Sequence, residues 1–484
     1  MKRAERTPVT DRQNEPGRPF DPDLDTATPN ELNPAARFLG SHISRLIISP
    51  TRKRIFDGIR EQIRKLRGEP HRVHYFHEIA DPYSHLAAQT LRGLLAAYEI
   101  ELIPHLATPT KGQNVPEPEL LARLAERDAR AVAPHYGLAF PAARAGGAGA
   151  AGDTTHRAAR ALAHAARDAD PGVFADLAVQ IGAALFAGDE AATRRLADQS
   201  PLVDASDADR ALDEGRALRE RMGHYSGAMF HYAGEWFWGV DRLIHLERRL
   251  IALGAARDDR GPRFPRPPIP RERVPRAAEL SLEFFPSLRS PYTAIAFEPT
   301  LALARDSGIK LETRPVLPMV MRGVPVTLAK SQYIASDTLR EAGLLGVGFG
   351  RIYDPIGDPV RRGFALWHWA REQGRGDAFL SAFARGAFAE GINTSRDTGR
   401  RRLVESVGLD WSEAARHLDD TAWEAELERN RLVMMDEMGQ WGVPSYRLRG
   451  PVGEPELCVW GQDRLWLLAH EIQRRGRLPA GPAA

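Results

Sequence analysis

Glu279-Leu-Ser-Leu-Glu-Phe-Phe-Pro-Ser-Leu-Arg-Ser-Pro-Tyr292 decides how this chain is read, because its pattern occurs twice. An apolar run ending in Phe284 and Phe285 reads as a strand. Ser290-Pro291 then opens a helix, since serine suits the N-cap and proline the first helical position. His71–Tyr83 repeats the arrangement, with Tyr75 and Phe76 closing the strand and Asp81-Pro82-Tyr83 standing in place of Ser290-Pro291-Tyr292. Subtracting 81 from 290 gives an offset of 209, and the same offset pairs Asp128 with Asp337, Ala133 with Ala342, Gly137 with Gly346 and Phe140 with Phe349. Agreement over so long a span marks an internal repeat. Trp-Gly-x-Asp-Arg-Leu also recurs, as Trp238–Leu243 and Trp460–Leu465, each time leading into an amphipathic helix.

Each repeat begins as strand, helix, strand: Arg72–His77, Pro82–Tyr98 and Glu99–Leu106, then Glu279–Phe285, Pro291–Asp306 and Ile309–Val316. Long helical middles follow, at about 117–222 and 327–438, and two short strands with a final helix close each unit. Gly442-Val443-Pro444-Ser445-Tyr446 opens the closing section of the second unit, and a proline between a turn glycine and a strand suits either a cis bond or an ordinary trans turn.

The chain has 484 residues, enough for two domains of ordinary size, and 43% of them are hydrophobic. Its formal net charge of +2, from 66 basic and 64 acidic residues, gives no overall pull toward nucleic acid. Cys458 is the only cysteine, which excludes an internal disulfide, a Cys-x-x-Cys redox pair and a thiolate-rich zinc site. Met1–Asp23 has no apolar signal-like core and no stretch is long and apolar enough to span a bilayer, so a cytoplasmic protein without membrane partners is expected.

The expected organisation is a disordered tail over 1–35, a helical segment over 36–70, a first domain over 71–255, a Pro/Arg-rich linker over 256–276 and a second domain over 277–476. Ala142–Gly152, nearly all Ala and Gly, reads as a flexible loop. In the helical segment, Ile43, Leu46, Ile47, Ile55, Ile59 and Ile63 approximate one face, broken at Pro50, with Arg and Lys opposite. Packing of that face on its own domain is the favoured reading; a basic amphipathic helix lying on a membrane or a partner is the alternative.

The order of strand, Ser-Pro-Tyr at a helix start, helical insertion, Gly-Val-Pro and Gly-x-Asp-Arg resembles the DsbA-like branch of the thioredoxin superfamily. It is most similar to the kappa-class glutathione transferases and 2-hydroxychromene-2-carboxylate isomerases. The resemblance covers most of 278–475 and, less well, 71–252, and implies an α/β fold of two tandem thioredoxin-like (DsbA-like) domains, each with a long helical insertion. It implies that Ser290 contacts the sulfur of bound glutathione, that Val443 and Pro444 offer backbone groups to the ligand, and that Asp463, with Gln462 beside it, holds the γ-glutamyl end. Exposed N–H groups at a helix start favour an anion, and a hydroxyl can donate to a thiolate. Ser290 and Asp463 serve equally well as plain helix caps.

The asparagine that the family carries after its second strand is missing from Met321–Thr327, although Lys330 and Tyr333 keep the flanking pattern and make Lys330 a further binding candidate. Arg322 suits either a substrate carboxylate or open solvent. In the first unit Asp81 replaces the serine, and Ser226-Gly227-Ala228-Met229 lacks the proline. A carboxylate there repels a thiolate, so this copy reads as degenerate, with Asp81 a cap or, if buried, a general base. The histidines His71, His74, His77 and His85 lie close in sequence, with His74 and His77 on opposite faces of a strand, and no metal site is expected. The expected activity is glutathione-dependent, or other thiol-dependent, isomerisation or conjugate addition on a small aromatic unsaturated carboxylate, with the two copies pairing within one chain and whole chains able to dimerise. A non-catalytic binding or scaffold protein is the second reading, and a disulfide oxidoreductase lacking its motif the third.

Overall fold

Strand periodicity and proline-led helix starts build two sheets of the same order. The computed structural model describes residues 34–47, 49–110, 114–142, 152–324 and 326–478. Residues 1–33 of the tail and 143–151 of the Ala/Gly loop lie outside the described residues. Helix α1 (Pro34–Ile47) and helix α2 (Pro50–Leu66) are separate, and the break falls at the proline that cannot continue the first. Pro34 and Ala35 therefore belong to a helix rather than to the tail.

The chain divides into two units. One contains 50–268 and 327–333; the other contains 269–326 and 334–484 together with the segment before residue 50. The expected 36–70 segment is thus shared out, α2 with the first unit and α1 with the second, and the division falls inside the stretch read as a linker. The front of that stretch is tied down: the buried Glu247 carboxylate accepts from the backbone N–H groups of Arg263 at 2.6 Å and Phe264 at 3.0 Å. Two backbone donors on one buried acid outweigh the extended preference of the prolines.

In the first unit, β1 (His71–His77), α3 (Pro82–Ala97) and β2 (Ile100–Leu106) form the strand-helix-strand start, followed by β3 (Met229–Tyr232), β4 (Glu235–Trp238) and α4 (Leu243–Ala252). The sheet order is β2-β1-β3-β4. Strand β1 pairs in parallel with β2, from His71 opposite Ile100 to His77 opposite Leu106, and antiparallel with β3. Alternation sends Val73 and Tyr75 into a core with Leu91, Leu94, Leu102, Phe174 and Phe230, while Phe76 joins Met229, Trp236 and Tyr333 in a second cluster.

The second unit repeats this plan with β5 (Ser281–Phe285), α5 (Pro291–Ser307), β6 (Lys310–Thr313), β7 (Ser445–Arg449), β8 (Leu457–Trp460) and α7 (Leu465–Gly476). Its order, β6-β5-β7-β8, and its strand directions match those of the first sheet. Strand β6 is shorter than the expected Ile309–Val316, although backbone pairing runs on past it: the Arg314 N–H donates to the Phe284 carbonyl at 2.7 Å and the Val316 N–H to the Pro286 carbonyl at 2.9 Å. Helix α6 (Leu328–Leu345) opens the helical middle, and its first residues, up to Tyr333, belong to the first unit.

Three side-chain details recur at the 209 offset. Tyr83 Oη donates to Asp128 Oδ2 at 2.9 Å, and Tyr292 Oη donates to Asp337 Oδ2 at 2.8 Å. The Glu78 N–H donates to Ser84 Oγ at 3.1 Å, and the Ser287 N–H donates to Thr293 Oγ1 at 3.4 Å. Asp81 and Ser290 are the N-caps of α3 and α5. Each Trp-Gly-x-Asp-Arg-Leu motif forms a short 3-10 turn, Val240–Arg242 or Gln462–Arg464, ahead of the closing helix.

Candidate functional site

The second unit brings Ser290 to the Gly442-Val443-Pro444 loop. Ser290 has the extended backbone of an N-cap (φ −96°, ψ 118°), and Pro291 follows at the first helical position. Ser290 Oγ accepts from the Thr293 N–H at 3.1 Å and donates to the Val443 carbonyl at 3.4 Å. The hydroxyl is only partly buried, and its bond to Val443 is long, so it can turn toward another acceptor at little cost.

Several contacts fix the loop opposite the hydroxyl. The Val443–Pro444 peptide is cis, and so is Gly450–Pro451. Gly442 lies against the indole of Trp460, where an added Cβ would sit 2.4 Å from ring atoms, so only glycine allows this approach. Arg322 Nη2 donates to the Trp441 carbonyl at 3.1 Å, which makes Arg322 a brace on this loop rather than a side chain in open solvent. Behind the loop, Phe285, Val316, Met434 and Met438 are buried together, with Val443 and Cys458 packed against them. Cys458 lies on β8, away from the helix start that a redox cysteine would occupy.

The other candidates are placed differently. Gln462 is 2% exposed, and its Nε2 donates to the buried Glu341 at 2.5 Å, so its side chain ties the last turn to α6. Asp463 is more open, in the turn that packs beside α5, with Arg464 Nη1 3.8 Å away. Lys330 is not grouped with them: it belongs to the first unit, where Nζ lies 3.4 Å from the Asn114 carbonyl and 6.0 Å from the centre of the Tyr225 ring. Burial there lowers the pKa of its ammonium. Spacing after a strand could not reveal that the N-terminal end of α6 is captured by a different sheet.

In the first unit the corresponding corner is closed by its own groups. The Asp81 carboxylate accepts from the N–H groups of Tyr83 (3.3 Å) and Ser84 (2.9 Å) and from Ser84 Oγ (2.7 Å), while Ser84 Oγ accepts from the Ala228 N–H (2.9 Å). Burial pushes the Asp81 carboxyl up and these donors pull it down. Glu78 pairs with the fully buried Arg219 at 2.5 Å; burial raises its pKa and the guanidinium opposes the rise. Sequence reading did not pick out Glu78 or Arg219, because 141 positions separate them. His77 and His85 are buried and His105 and His231 half-buried, and desolvation holds all four neutral, the first with a pKa lowered to about 3 and the others to about 4. His74 Nδ1 meets His105 Nε2 at 2.9 Å, and among the described residues no group of three or more His, Cys, Asp or Glu side chains suits a metal ion.

Comparison with known families gives a match to the DsbA-like thioredoxin domain over residues 281–473. Those residues form a DsbA-like thioredoxin domain. Three solved structures are similar to part of the chain. A 2-hydroxychromene-2-carboxylate isomerase is 20% identical, with a TM-score of 0.33, over 40% of this chain and 95% of the isomerase. A probable DsbA oxidoreductase from Streptomyces coelicolor is 22% identical, with a TM-score of 0.32, over 42% of this chain and 94% of its own. The cytosolic disulfide reductase DsbM from Pseudomonas aeruginosa is 22% identical, with a TM-score of 0.32, over 40% of this chain and 98% of its own. No curated protein matches the chain. The DsbA-like domain has Ser290, not a cysteine, at the start of its α5, and its one cysteine is on β8.

Proposed function

We propose that the DsbA-like domain binds a small thiol at Ser290 and uses it to isomerise, or add to, an aromatic unsaturated carboxylate, with glutathione the first thiol to test. The observation that carries this reading is the hydroxyl of Ser290 at the first turn of α5, facing the Val443 carbonyl at 3.4 Å. The residues fit the thiol end of glutathione and fit its other end poorly. Ser290 and the positive end of α5 suit a thiolate, whereas Asp463 is 16% exposed, the Gln462 side chain is engaged with Glu341 and Lys330 belongs to the other unit. A bound thiol supplies a nucleophile that adds reversibly to a conjugated system and leaves again. The chain's part is to orient the sulfur through the Ser290 hydroxyl and to favour its ionised form with the helix start, on a loop that the buried Phe285, Val316, Met434 and Met438 support from behind.

We further infer that the first unit is a second, degenerate copy of the same domain, one that lost this chemistry. The shared sheet order and the Tyr83–Asp128 and Tyr292–Asp337 bonds support the duplication. The use of Asp81 as a fully engaged cap supports the loss. Calorimetric titration of glutathione, with thiolate absorbance followed in parallel, tests the assignment in the wild type and in Ser290→Ala. Saturable binding with a thiolate signal that vanishes in Ser290→Ala is expected; absence of binding in both proteins rejects glutathione and leaves a binding-only role as the better reading.

A further inference from the structure

Helix α2 is docked on the first unit by its charged side. Lys53 Nζ meets Glu235 at 2.8 Å and Asp57 at 3.1 Å, and Asp57 takes Arg249 Nη2 at 2.9 Å. One turn further, Arg64 pairs with Glu61 at 2.7 Å and donates to the Glu69 carbonyl at 2.6 Å. Residues 53, 57, 61 and 64 form a single stripe, and that stripe faces the protein. The opposite stripe is apolar and open: Ile55 is 58% exposed, Ile59 49%, Ile63 42% and Leu66 86%, with Phe56 at 45% beside them. A helix that completes a globular core turns its apolar side inward. Helix α2 is held the other way round by ion pairs.

The charges on the open side have one sign. Both acids of the helix, Asp57 and Glu61, lie on the inner stripe at 23% and 10% exposure. The exposed basic residues are Arg52, Arg54, Arg60 and Lys65, with Arg67 just past the end. At the helical angle per residue, the apolar side chains cover an arc of roughly 100° with Arg52 at its N-terminal end, over the Phe56 ring; Arg60 lies beyond one edge and, past Gln62 and Gly58, Arg54 and Lys65 lie beyond the other. An apolar strip bordered on both sides by cations matches the boundary between acyl chains and anionic headgroups, where long basic side chains reach outward while their stems stay apolar. A second copy is a poorer occupant, since face-to-face pairing would set cations against cations, while Asp57 and Glu61 stay on the inner stripe, each 3.6 Å from Arg60 or Lys65 of its own helix.

We propose that α2 is a peripheral anchor that lies on an anionic lipid surface with Ile55, Ile59, Ile63 and Leu66 inserted. No described helix is long and apolar enough to cross a membrane, so the contact is one of surface and not of span. The test is co-sedimentation of the full chain with phosphatidylcholine vesicles, with and without about a third phosphatidylserine. The wild type should sediment with the anionic vesicles and be released by salt. Ile59→Glu/Ile63→Glu and Arg54→Glu/Lys65→Glu should each weaken partitioning about tenfold or more while leaving circular dichroism unchanged, because the altered positions are exposed. Failure to bind anionic vesicles, equal binding by both double variants, or a vesicle-independent dimer that Ile59→Glu/Ile63→Glu converts to monomer would each overturn the proposal.

Discussion

Tyr292 Oη donates to Asp337 Oδ2 at 2.8 Å, 45 residues along the chain, and the bond joins the first turn of α5 to the middle of α6. Asp337 is fully buried, and Arg340 also reaches it at 3.0 Å. Tyr292→Phe leaves the aspartate with one donor fewer in a site water cannot reach, so a loss of about 1–3 kcal/mol is expected from thermal or denaturant unfolding. Tyr83→Phe should cost a similar amount through Asp128, which has the same geometry in the first unit.

Acid should open the first unit before the second. His77, His85, His105 and His231 all belong to the first unit and have folded pKa values near 3 to 4, below the ordinary 6.5. The unfolded chain therefore binds more protons than the folded one between those limits, and stability that is intact above pH 6.5 falls as pH drops toward 4. The slope is about 1.4 kcal/mol per pH unit for each histidine that stays neutral. Hydrogen exchange with mass spectrometry across this range should show residues 71–106 and 229–252 losing protection while 281–313 and 445–476 retain it.

Removing the acid at the centre of the second sheet should be costly. Glu283 on β5 is 3% exposed and meets Arg447, also 3% exposed, with Arg314 at 3.1 Å and Arg449 at 3.7 Å. Glu283→Gln would leave three guanidinium groups clustered around a neutral amide, and about 3–5 kcal/mol of destabilisation is expected. The double variant Glu283→Leu/Arg447→Leu should recover part of this loss, as a two-state denaturant titration of the three proteins would read.

The two caps should differ in stability while only one affects thiol binding. Ser290→Ala removes one acceptor at the start of α5, worth about 1 kcal/mol. Asp81→Ala removes an acceptor that serves three donors at the start of α3, and about 2 kcal/mol is expected. Unfolding curves check the stabilities, and the glutathione titration should change in Ser290→Ala alone.

Much of this arrangement was legible in the sequence because it is local or periodic. Ser290-Pro291 and Asp81-Pro82 announce helix starts through their own side chains and rings. The 209 offset pairs Asp128 with Asp337, and each accepts from the tyrosine that the same offset pairs, Tyr83 or Tyr292. Two placements were not legible. Gln462 follows the same motif as a binding residue would, yet its amide is spent on Glu341, 121 positions earlier. Lys330 keeps the expected spacing after β6, and nothing local shows that its end of α6 packs with Asn114 and Tyr225.

The sequence by itself determined the strand-helix-strand start of each unit, the absence of a cysteine pair and the helix start at Ser290-Pro291, because each depends on residues within a turn or two of one another or on composition alone. Only the tertiary structure decided that Ser290 faces Val443, that Arg219 meets Glu78, and that α2 turns its charges inward and its isoleucines out. Amphipathic spacing fixes which side chains share a face; the direction of that face depends on the ions waiting opposite it, and for α2 those are Glu235 and Arg249, about 180 residues away.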